Sequence, residues 1–230
     1  MPDKFVINDA LLEAAKTKLA NRPHVYWLVG GAGSGKTTLC QALASQYNLP
    51  IYDMDAHIYG DYHGRFSSSR HPSNSQWAAA PNGLAWLLAM NWAEFDAFNQ
   101  AAVPEYLDLL AKDLEKLPLD AWLLIDGGIV NTAVATQAFP ASQMVCLSRP
   151  GLSSSDVWQE TPARLEMKAM FDYLPEPEAM WQKFLEFDAK INQTILQESQ
   201  TANIPICVRS ETDSVALLAN RVAQALQLCP

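Results

Sequence analysis

The chain has 230 residues and a net charge of −9, from 25 acidic and 16 basic side chains. Hydrophobic residues make up 49% of the sequence and charged residues 18%, which argues against general disorder. The length is typical of a single α/β domain and not of two independent domains. Because an acidic chain repels phosphate backbones, nucleic acid is not an expected partner.

The four cysteines form no CxxC pair, and each lies in an apolar stretch. They are Cys40, Cys146, Cys207 and Cys229. Reduced, buried thiols and a cytoplasmic location are therefore expected. The first residues carry acidic side chains and no long apolar run, so no secretory signal is predicted. No stretch reaches the roughly 18 apolar residues of a membrane span, so no membrane contact is predicted.

The first third of the chain predicts two helices and two strands. Asn8 is placed to cap a first helix, and residues 25–29 (VYWLV) form a short apolar run before glycines, which is typical of a buried strand. A helix is predicted from Lys36 to about Tyr47, where Asn48-Leu49-Pro50 ends it. Residues 51–54 predict a second strand.

The middle of the chain predicts a loop, two helices and a third strand. Residues 59–75 are rich in Gly, Ser, His and Arg and predict a loop. Pro81 and Pro104 are interpreted as first-turn prolines of two helices, and residues 122–125 (WLLI) as a buried strand. One face of the second helix is predicted to carry Leu107, Leu110, Leu114 and Leu117.

The last third repeats the same alternation. A fourth strand at 144–147 precedes a turn-rich loop at 149–162, two helices, a fifth strand at 204–208 and a last helix capped by Asp213 or Ser214. Short buried strands separated by helices predict an α/β fold with a parallel sheet covered on both faces. Ligands bind such folds at the carboxyl ends of the strands.

Residues 30–37, GGAGSGKT, match the phosphate-binding pattern GxxxxGK[ST] in full, with a strand before and a helix after. Glycines let the backbone turn its N–H groups around phosphates, and the helix N-terminus adds positive potential. Lys36 then reaches the β- and γ-phosphates, and Thr37 offers a hydroxyl to Mg²⁺. We expect ATP to be bound by Gly30, Gly31, Ala32, Gly33, Ser34, Gly35, Lys36, Thr37 and Thr38.

Three acidic residues follow predicted strands. Asp53 and Asp55 come after the second strand, and Asp126 comes after the third. Because side chains alternate along a strand, Asp53 and Asp55 are expected to point the same way. Two acids beside a triphosphate repel each other unless Mg²⁺ or a substrate proton lies between them.

A P-loop, a DxD sequence after the second strand and Gly127-Gly128 after the third together resemble shikimate kinase and, more broadly, the P-loop kinases of small molecules and nucleosides. The resemblance implies a single three-layer αβα domain over 1–230, with a five-stranded parallel sheet in the order 2-3-1-4-5. It implies that Asp53 orients Mg²⁺ through water and that Asp55 accepts a hydrogen bond from the acceptor hydroxyl. Gly127 and Gly128 would let backbone amides approach that acceptor.

The chain also departs from this pattern. Asp126 stands where shikimate kinases have glycine, and it fits a Walker B carboxylate instead; Asp53 and Asp126 are therefore alternatives for the Mg²⁺-bound water. Residues 60–120 match nothing in the family, and residues 56–120 are interpreted as a helical substrate-binding insertion.

Residues 149–168 occupy the position of the kinase lid. Arg164 is predicted to stabilise charge on the transferring phosphoryl group, making it catalytic with Lys36 and Asp55; a solvated basic helix face is the alternative for Arg164 and for Lys168. Arg209, after the fifth strand, is expected to contact the nucleotide base, with a surface turn as the alternative.

The basic residues Arg65 and Arg70, in the loop after the DxD, predict an acceptor pocket for an anionic group, against the alternative of an ordinary exposed loop. An aromatic stretch is interpreted mainly as core packing of the insertion and otherwise as a stacking platform for a ring-shaped substrate. It comprises Trp77, Trp86, Trp92, Phe95 and Phe98.

Together these features predict Mg²⁺-dependent phosphoryl transfer from ATP to the hydroxyl of a small-molecule acceptor by a monomer or homodimer. The alternative is a regulatory module that binds and hydrolyses the nucleotide and acts through a protein partner.

Overall fold

The computed structural model describes residues 5–228. Its strands are β1 (Val25–Gly30), β2 (Ile51–Asp53), β3 (Leu123–Asp126), β4 (Met144–Ser148) and β5 (Ile206–Val208). The helices before β3 are α1 (Asp9–Leu19), α2 (Lys36–Tyr47), α3 (Met54–Tyr59), α4 (Pro72–Ala78), α5 (Gly83–Leu88) and α6 (Trp92–Leu114). Those after it are α7 (Thr132–Ala135), α8 (Ser154–Val157), α9 (Pro162–Ala169), α10 (Pro177–Thr201) and α11 (Val215–Ala225), with 3₁₀ turns at Ala141–Gln143 and Met170–Tyr173.

The five strands form one parallel sheet in the order β2-β3-β1-β4-β5. The predicted fold class and strand order are thus confirmed. In the register of the sheet, Asp53 of β2 lies beside Asp126 of β3. The ends of these strands and the loop after β1 therefore meet at one edge of the sheet, where α/β folds bind ligands.

Side-chain alternation along β1 builds the two layers on either side of the sheet. Trp27 and Val29 face the larger apolar cluster, which includes residues of α1, α6 and α10. Tyr26 and Leu28 face the opposite way, into a smaller cluster with residues of α2 and α11. Because both faces are covered, β1 is buried along its full length.

Local capping chemistry sets several helix ends as predicted. The Asn8 side chain accepts a hydrogen bond from the Leu11 N–H (3.1 Å) at the start of α1. Asn48 ends α2 in the left-handed conformation. Ser214, not Asp213, caps α11 by accepting from the Leu217 N–H (3.2 Å).

The prediction for Pro104 was wrong, because this residue lies inside α6 and not in its first turn. The helix begins earlier, where the Asn91 and Glu94 side chains form a reciprocal capping box. Pro81 also lies outside a first turn, since Asn82 caps α5 after it. Leu117, predicted on the apolar face of α6, lies beyond the helix and is 40% exposed.

The thiols that the structure describes are free: Cys40 and Cys146 are buried and Cys207 is half-buried. Cys229 lies outside the described residues. In the range 5–228, no helix is long and apolar enough to cross a bilayer.

Candidate functional site

The loop between β1 and α2 has the backbone of a phosphate-binding loop. Gly30, Gly33 and Gly35 have φ of 145°, 74° and 95°, a region that side chains with a Cβ rarely enter. At Gly33 a Cβ would also meet the Val157 side chain at 2.8 Å. The pattern recognised in the sequence is therefore realised as a tight loop at the N-terminus of a 12-residue helix.

The Lys36 side chain folds back over this loop. Its Nζ donates a hydrogen bond to the Gly31 carbonyl (3.1 Å), and Ser34 Oγ donates to the same oxygen (2.9 Å). Burial lowers the pKa of Lys36, against the opposing influence of Asp55 and Asp126. The ammonium group is thus held among carboxylates and carbonyls at the centre of the site.

Asp55 meets Lys36 against the turn after β3. At Gly127, whose φ is 66°, a Cβ would lie 2.5 Å from Asp55 Oδ2 and 3.3 Å from Lys36 Cε, so only glycine leaves room for both side chains. The backbone N–H of Gly128 donates to the Asp55 carboxylate. Burial raises the pKa of Asp55, and the nearby Lys36 ammonium opposes this shift. The glycine pair therefore positions Asp55 through close packing and a backbone hydrogen bond.

Asp126 ends β3 and is 4% exposed. Within the described part of the chain its Oδ1 has no hydrogen-bond partner. Burial raises the pKa of this carboxyl, while hydrogen bonds with Thr37 and Cys40 and the charge of Lys36 lower it. A buried carboxylate beside the Thr37 hydroxyl, with an oxygen left over, is suited to a hydrated cation.

Asp53 has a different environment. Its Oδ1 accepts a hydrogen bond from the Ala56 N–H (2.9 Å) and caps α3. The expectation that Asp53 and Asp55 point the same way was wrong, because the strand ends at Asp53 and Asp55 belongs to the first turn of a helix. Asp53 is thus engaged at a helix terminus, whereas Asp55 faces Lys36.

A cavity of about 670 Å³ opens from the P-loop into the insertion. Its wall includes Lys36, Asp55 and Gly128, together with residues from the insertion and from α10. The aromatic residues of the wall are Tyr59, Trp77, Phe95, Tyr106, Trp158, Phe184 and Phe187. Trp77, Phe95 and Phe98 are buried, as the core-packing interpretation predicted. Trp77 and Phe95 also border the cavity, so these two residues both pack in the core and line the cavity.

Two polar residues of α10 next to the P-loop were not predicted as site residues. Asp188 is 6% exposed and lines the cavity. One turn later, Asn192 donates to the Asp188 carbonyl (2.8 Å) and lies so close to Gly31 that a side chain there would overlap it. Burial raises the pKa of Asp188, opposed by Ser154 and Trp158. The one feature of the sequence that could have indicated Asp188 is its position at near-helical spacing among apolar residues.

The lid region packs on the P-loop through Val157. Arg164 donates to the Val157 carbonyl (2.7 Å) and pairs with Glu160 (3.0 Å), and Arg149 pairs with the same carboxylate (2.7 Å). Arg164 does not line the 670 Å³ cavity. The Lys168 ammonium lies 5.5 Å from the centre of the Trp181 ring.

Arg209 lies on the other side of the P-loop. Its backbone N–H donates to the Ser148 carbonyl (2.8 Å). A Cβ at Gly35 would lie 3.1 Å from an Arg209 guanidinium nitrogen. The side chain predicted to contact the nucleotide is thus beside the start of α2.

Arg65 and Arg70, predicted to hold an anionic acceptor, do not line the 670 Å³ cavity. Arg65 pairs with Asp113 (2.7 Å), and Arg70 pairs with Asp108 through two hydrogen bonds. These acidic partners lie on α6, 48 and 38 residues away in sequence, and their side chains are only 12% and 3% exposed. The two arginines attach the loop after α3 to that helix.

No family model and no curated protein sequence matches this chain. The solved structures that are similar to it include the following two. The structure of TT1252 from Thermus thermophilus is 15% identical, with 90% of this chain and 97% of that chain covered and a TM-score of 0.46. Shikimate kinase from Bacteroides thetaiotaomicron is 15% identical, with 89% and 98% covered and a TM-score of 0.44. Likenesses at these values do not assign a family or a function.

Proposed function

We propose that this protein binds a nucleoside triphosphate with Mg²⁺ and transfers its γ-phosphoryl group to the hydroxyl of a small molecule in the 670 Å³ cavity. The observation that supports the proposal best is the meeting of Lys36 and Asp55 against Gly127, at the end of that cavity nearest the P-loop. This pair supports the proposal because phosphoryl transfer needs a cation at the transferred phosphate and a carboxylate at the acceptor hydroxyl.

In this proposal the P-loop holds the donor. Backbone N–H groups of residues 30–37 and the N-terminus of α2 bind the phosphates, and Lys36 leaves the Gly31 carbonyl for the β- and γ-phosphates. Thr37 and Asp126 would hold Mg²⁺, which neutralises phosphate charge when bound. No set of three His, Cys, Asp or Glu residues suited to a metal exists in residues 5–228. Phosphate oxygens and water would therefore complete the coordination.

Asp55 orients the acceptor. Its carboxylate accepts a hydrogen bond from the acceptor hydroxyl, whose oxygen attacks the γ-phosphorus in line. The bond from that phosphorus to the bridging oxygen breaks, and the nucleoside diphosphate leaves with the electron pair. The acceptor proton passes to Asp55, whose burial raises its pKa and makes it a better proton acceptor than an exposed aspartate.

The direct test measures acceptor-dependent ADP release with ATP, Mg²⁺ and a panel of small alcohols. Lys36→Ala should weaken Mg-nucleotide binding in calorimetry by at least about tenfold. Asp55→Asn should retain nucleotide affinity and lower the acceptor-dependent rate by roughly 100-fold or more, as expected for loss of a general base. Asp61→Asn is the matched control, because this neighbouring acid has a 78% exposed side chain. An unchanged rate in Asp55→Asn would contradict the role of Asp55.

The regulatory alternative predicts hydrolysis without acceptor dependence and an aromatic partner surface near 77–98. Burial of Trp77, Phe95 and Phe98 argues against such a surface, although Trp86 and Trp92 of the same stretch are only half-buried. The same assay separates the two functions, since only the kinase responds to an added alcohol.

A further inference from the structure

The wall of the 670 Å³ cavity is mostly apolar. Apart from Lys36, Asp55, His63, Asn99 and Asp188, its side chains are aliphatic, aromatic or those of methionine. Asn99 is already engaged, since its Nδ2 donates to the Phe95 carbonyl (2.8 Å). A ligand in this space therefore exchanges water mainly for hydrocarbon, which favours an apolar body.

The charges of the wall disfavour an anion. Lys36 is needed for the donor phosphates, and Asp55 and Asp188 remain as two carboxylates on the wall. Across the described chain, no arginine lines this space. Arg65 and Arg70, the two arginines predicted to hold an anionic acceptor, pair with Asp113 and Asp108 instead. A negatively charged acceptor would lose its hydration and gain no cation of its own.

The cavity also limits the polar groups that an acceptor can carry. The Trp77 indole N–H is buried and has no hydrogen-bond acceptor in residues 5–228. Burial raises the pKa of Tyr106 well above its usual value and keeps this phenol uncharged. The volume falls within the roughly 300–1,000 Å³ of pockets for drug-sized molecules.

Building on the proposed function, we propose that the acceptor is an uncharged alcohol with a large hydrocarbon body, whose hydroxyl lies at Asp55 and whose body lies between the insertion and α10. This replaces the small anionic acceptor expected from the sequence. The aromatic and aliphatic wall selects the body, and the two carboxylates exclude acidic analogues.

The test uses the uncharged fluorophore N-phenyl-1-naphthylamine, whose emission rises in apolar surroundings, with full-length protein and no nucleotide. Competitors are 2-naphthaleneethanol and its size-matched carboxylate and ammonium counterparts. We expect the alcohol to displace the probe at least about tenfold more tightly than either charged analogue. The same alcohol should then stimulate ADP release with Mg-ATP.

A pair of adjacent substitutions locates the site. Ala78→Phe adds bulk to the wall and should weaken probe binding by about tenfold or more, whereas Ala79→Phe, at an exposed position off the wall, should leave it unchanged. Circular dichroism checks folding, and Leu84→Trp, also on the wall, replaces Ala78→Phe if that variant does not fold.

The acceptor assignment would be overturned if the probe did not bind, if a charged analogue competed more strongly than the alcohol, or if the two alanine substitutions had equal effects. None of these results would contradict the proposed phosphoryl transfer. Probe binding and alcohol competition without transfer to any alcohol would overturn the proposed function, and the acceptor assignment with it.

Discussion

Asp126 shows how one residue can favour ligand binding at the expense of stability. It is buried, one oxygen has no partner within residues 5–228, and burial raises its pKa. A carboxyl whose pKa is higher in the folded state contributes stability at low pH and loses it as the pH rises through the folded pKa. At neutral pH the cost of burying the ionised group is only partly offset by the charge of Lys36 and by hydrogen bonds, until Mg²⁺ approaches it.

Asp126→Asn should consequently raise the melting temperature at pH 7 while weakening Mg-nucleotide binding. Asparagine removes the buried charge and its desolvation penalty while keeping the shape of the side chain. We expect a gain of about 1 kcal/mol, or roughly 2–4 °C for a chain of this size. Thermal unfolding and calorimetry with Mg-ATP measure the two effects. Asp53→Ala is the contrast, because loss of the α3 cap should lower the melting temperature. A destabilised Asp126→Asn would contradict the argument.

At the scale of elements, the lid is held by a shared acidic partner. Glu160 pairs with Arg149 from the end of β4 and with Arg164 from α9, and Arg164 also bonds the carbonyl of Val157, which rests on Gly33. Neither arginine is free to meet a phosphate in this arrangement. The lid is therefore packed on the P-loop with both guanidinium groups bonded to one carboxylate.

Glu160→Gln should release both arginines and strengthen nucleotide binding. Partly exposed ion pairs are worth about 0.2–1 kcal/mol each, so the dissociation constant for Mg-ATP should fall by roughly two- to fivefold at low salt. The gain should shrink at 0.5 M salt, because screening weakens attraction between the arginines and the phosphates. Calorimetry at both salt concentrations measures it, and Glu166→Gln, an exposed acid on α9, the helix that carries Arg164, is the control. Unchanged affinity in Glu160→Gln would show that the arginines do not reach the nucleotide.

Across the whole molecule, two acidic groups on α6 attach the loop after α3 to the body of the domain. Asp108 contacts Arg70, His71 and Lys112. Asp113 contacts Arg65. Hydrogen bonds from these partners outweigh burial, so the pKa of Asp108 lies well below its usual range and that of Asp113 falls to about 2. The insertion is thus held in place by ionised carboxylates.

These depressed values predict a loss of stability in acid. A carboxyl with a lowered folded pKa contributes stability above its unfolded value, about 3.9 for aspartate, and loses it as the pH falls through the folded pKa. Urea unfolding between pH 6 and pH 2 should show the free energy of unfolding fall below about pH 4. Asp113→Asn should be less stable at pH 6 and show a flatter decline, with Asp61→Asn as the exposed control. Parallel curves for Asp113→Asn and the unchanged protein would contradict the assignment.

The sequence by itself determined what depends on neighbours along the chain. The glycine and lysine spacing of the P-loop, the cap at Asn8, the end of α2 at Asn48 and the alternation of strands with helices all follow from local backbone geometry and hydrophobic period. Together with the resemblance in motifs, they were enough to predict the sheet order.

Tertiary structure alone decided which polar groups meet. Asp53 became a helix cap and Asp55 a cavity residue because the strand ends one residue earlier than its apolar pattern indicates. Arg65 and Arg70 pair with carboxylates more than 35 residues away in sequence, and Asp188 of α10 lies next to the P-loop. Ion pairing, burial and the apolar wall of the cavity depend on contacts between distant segments, which local sequence patterns do not encode.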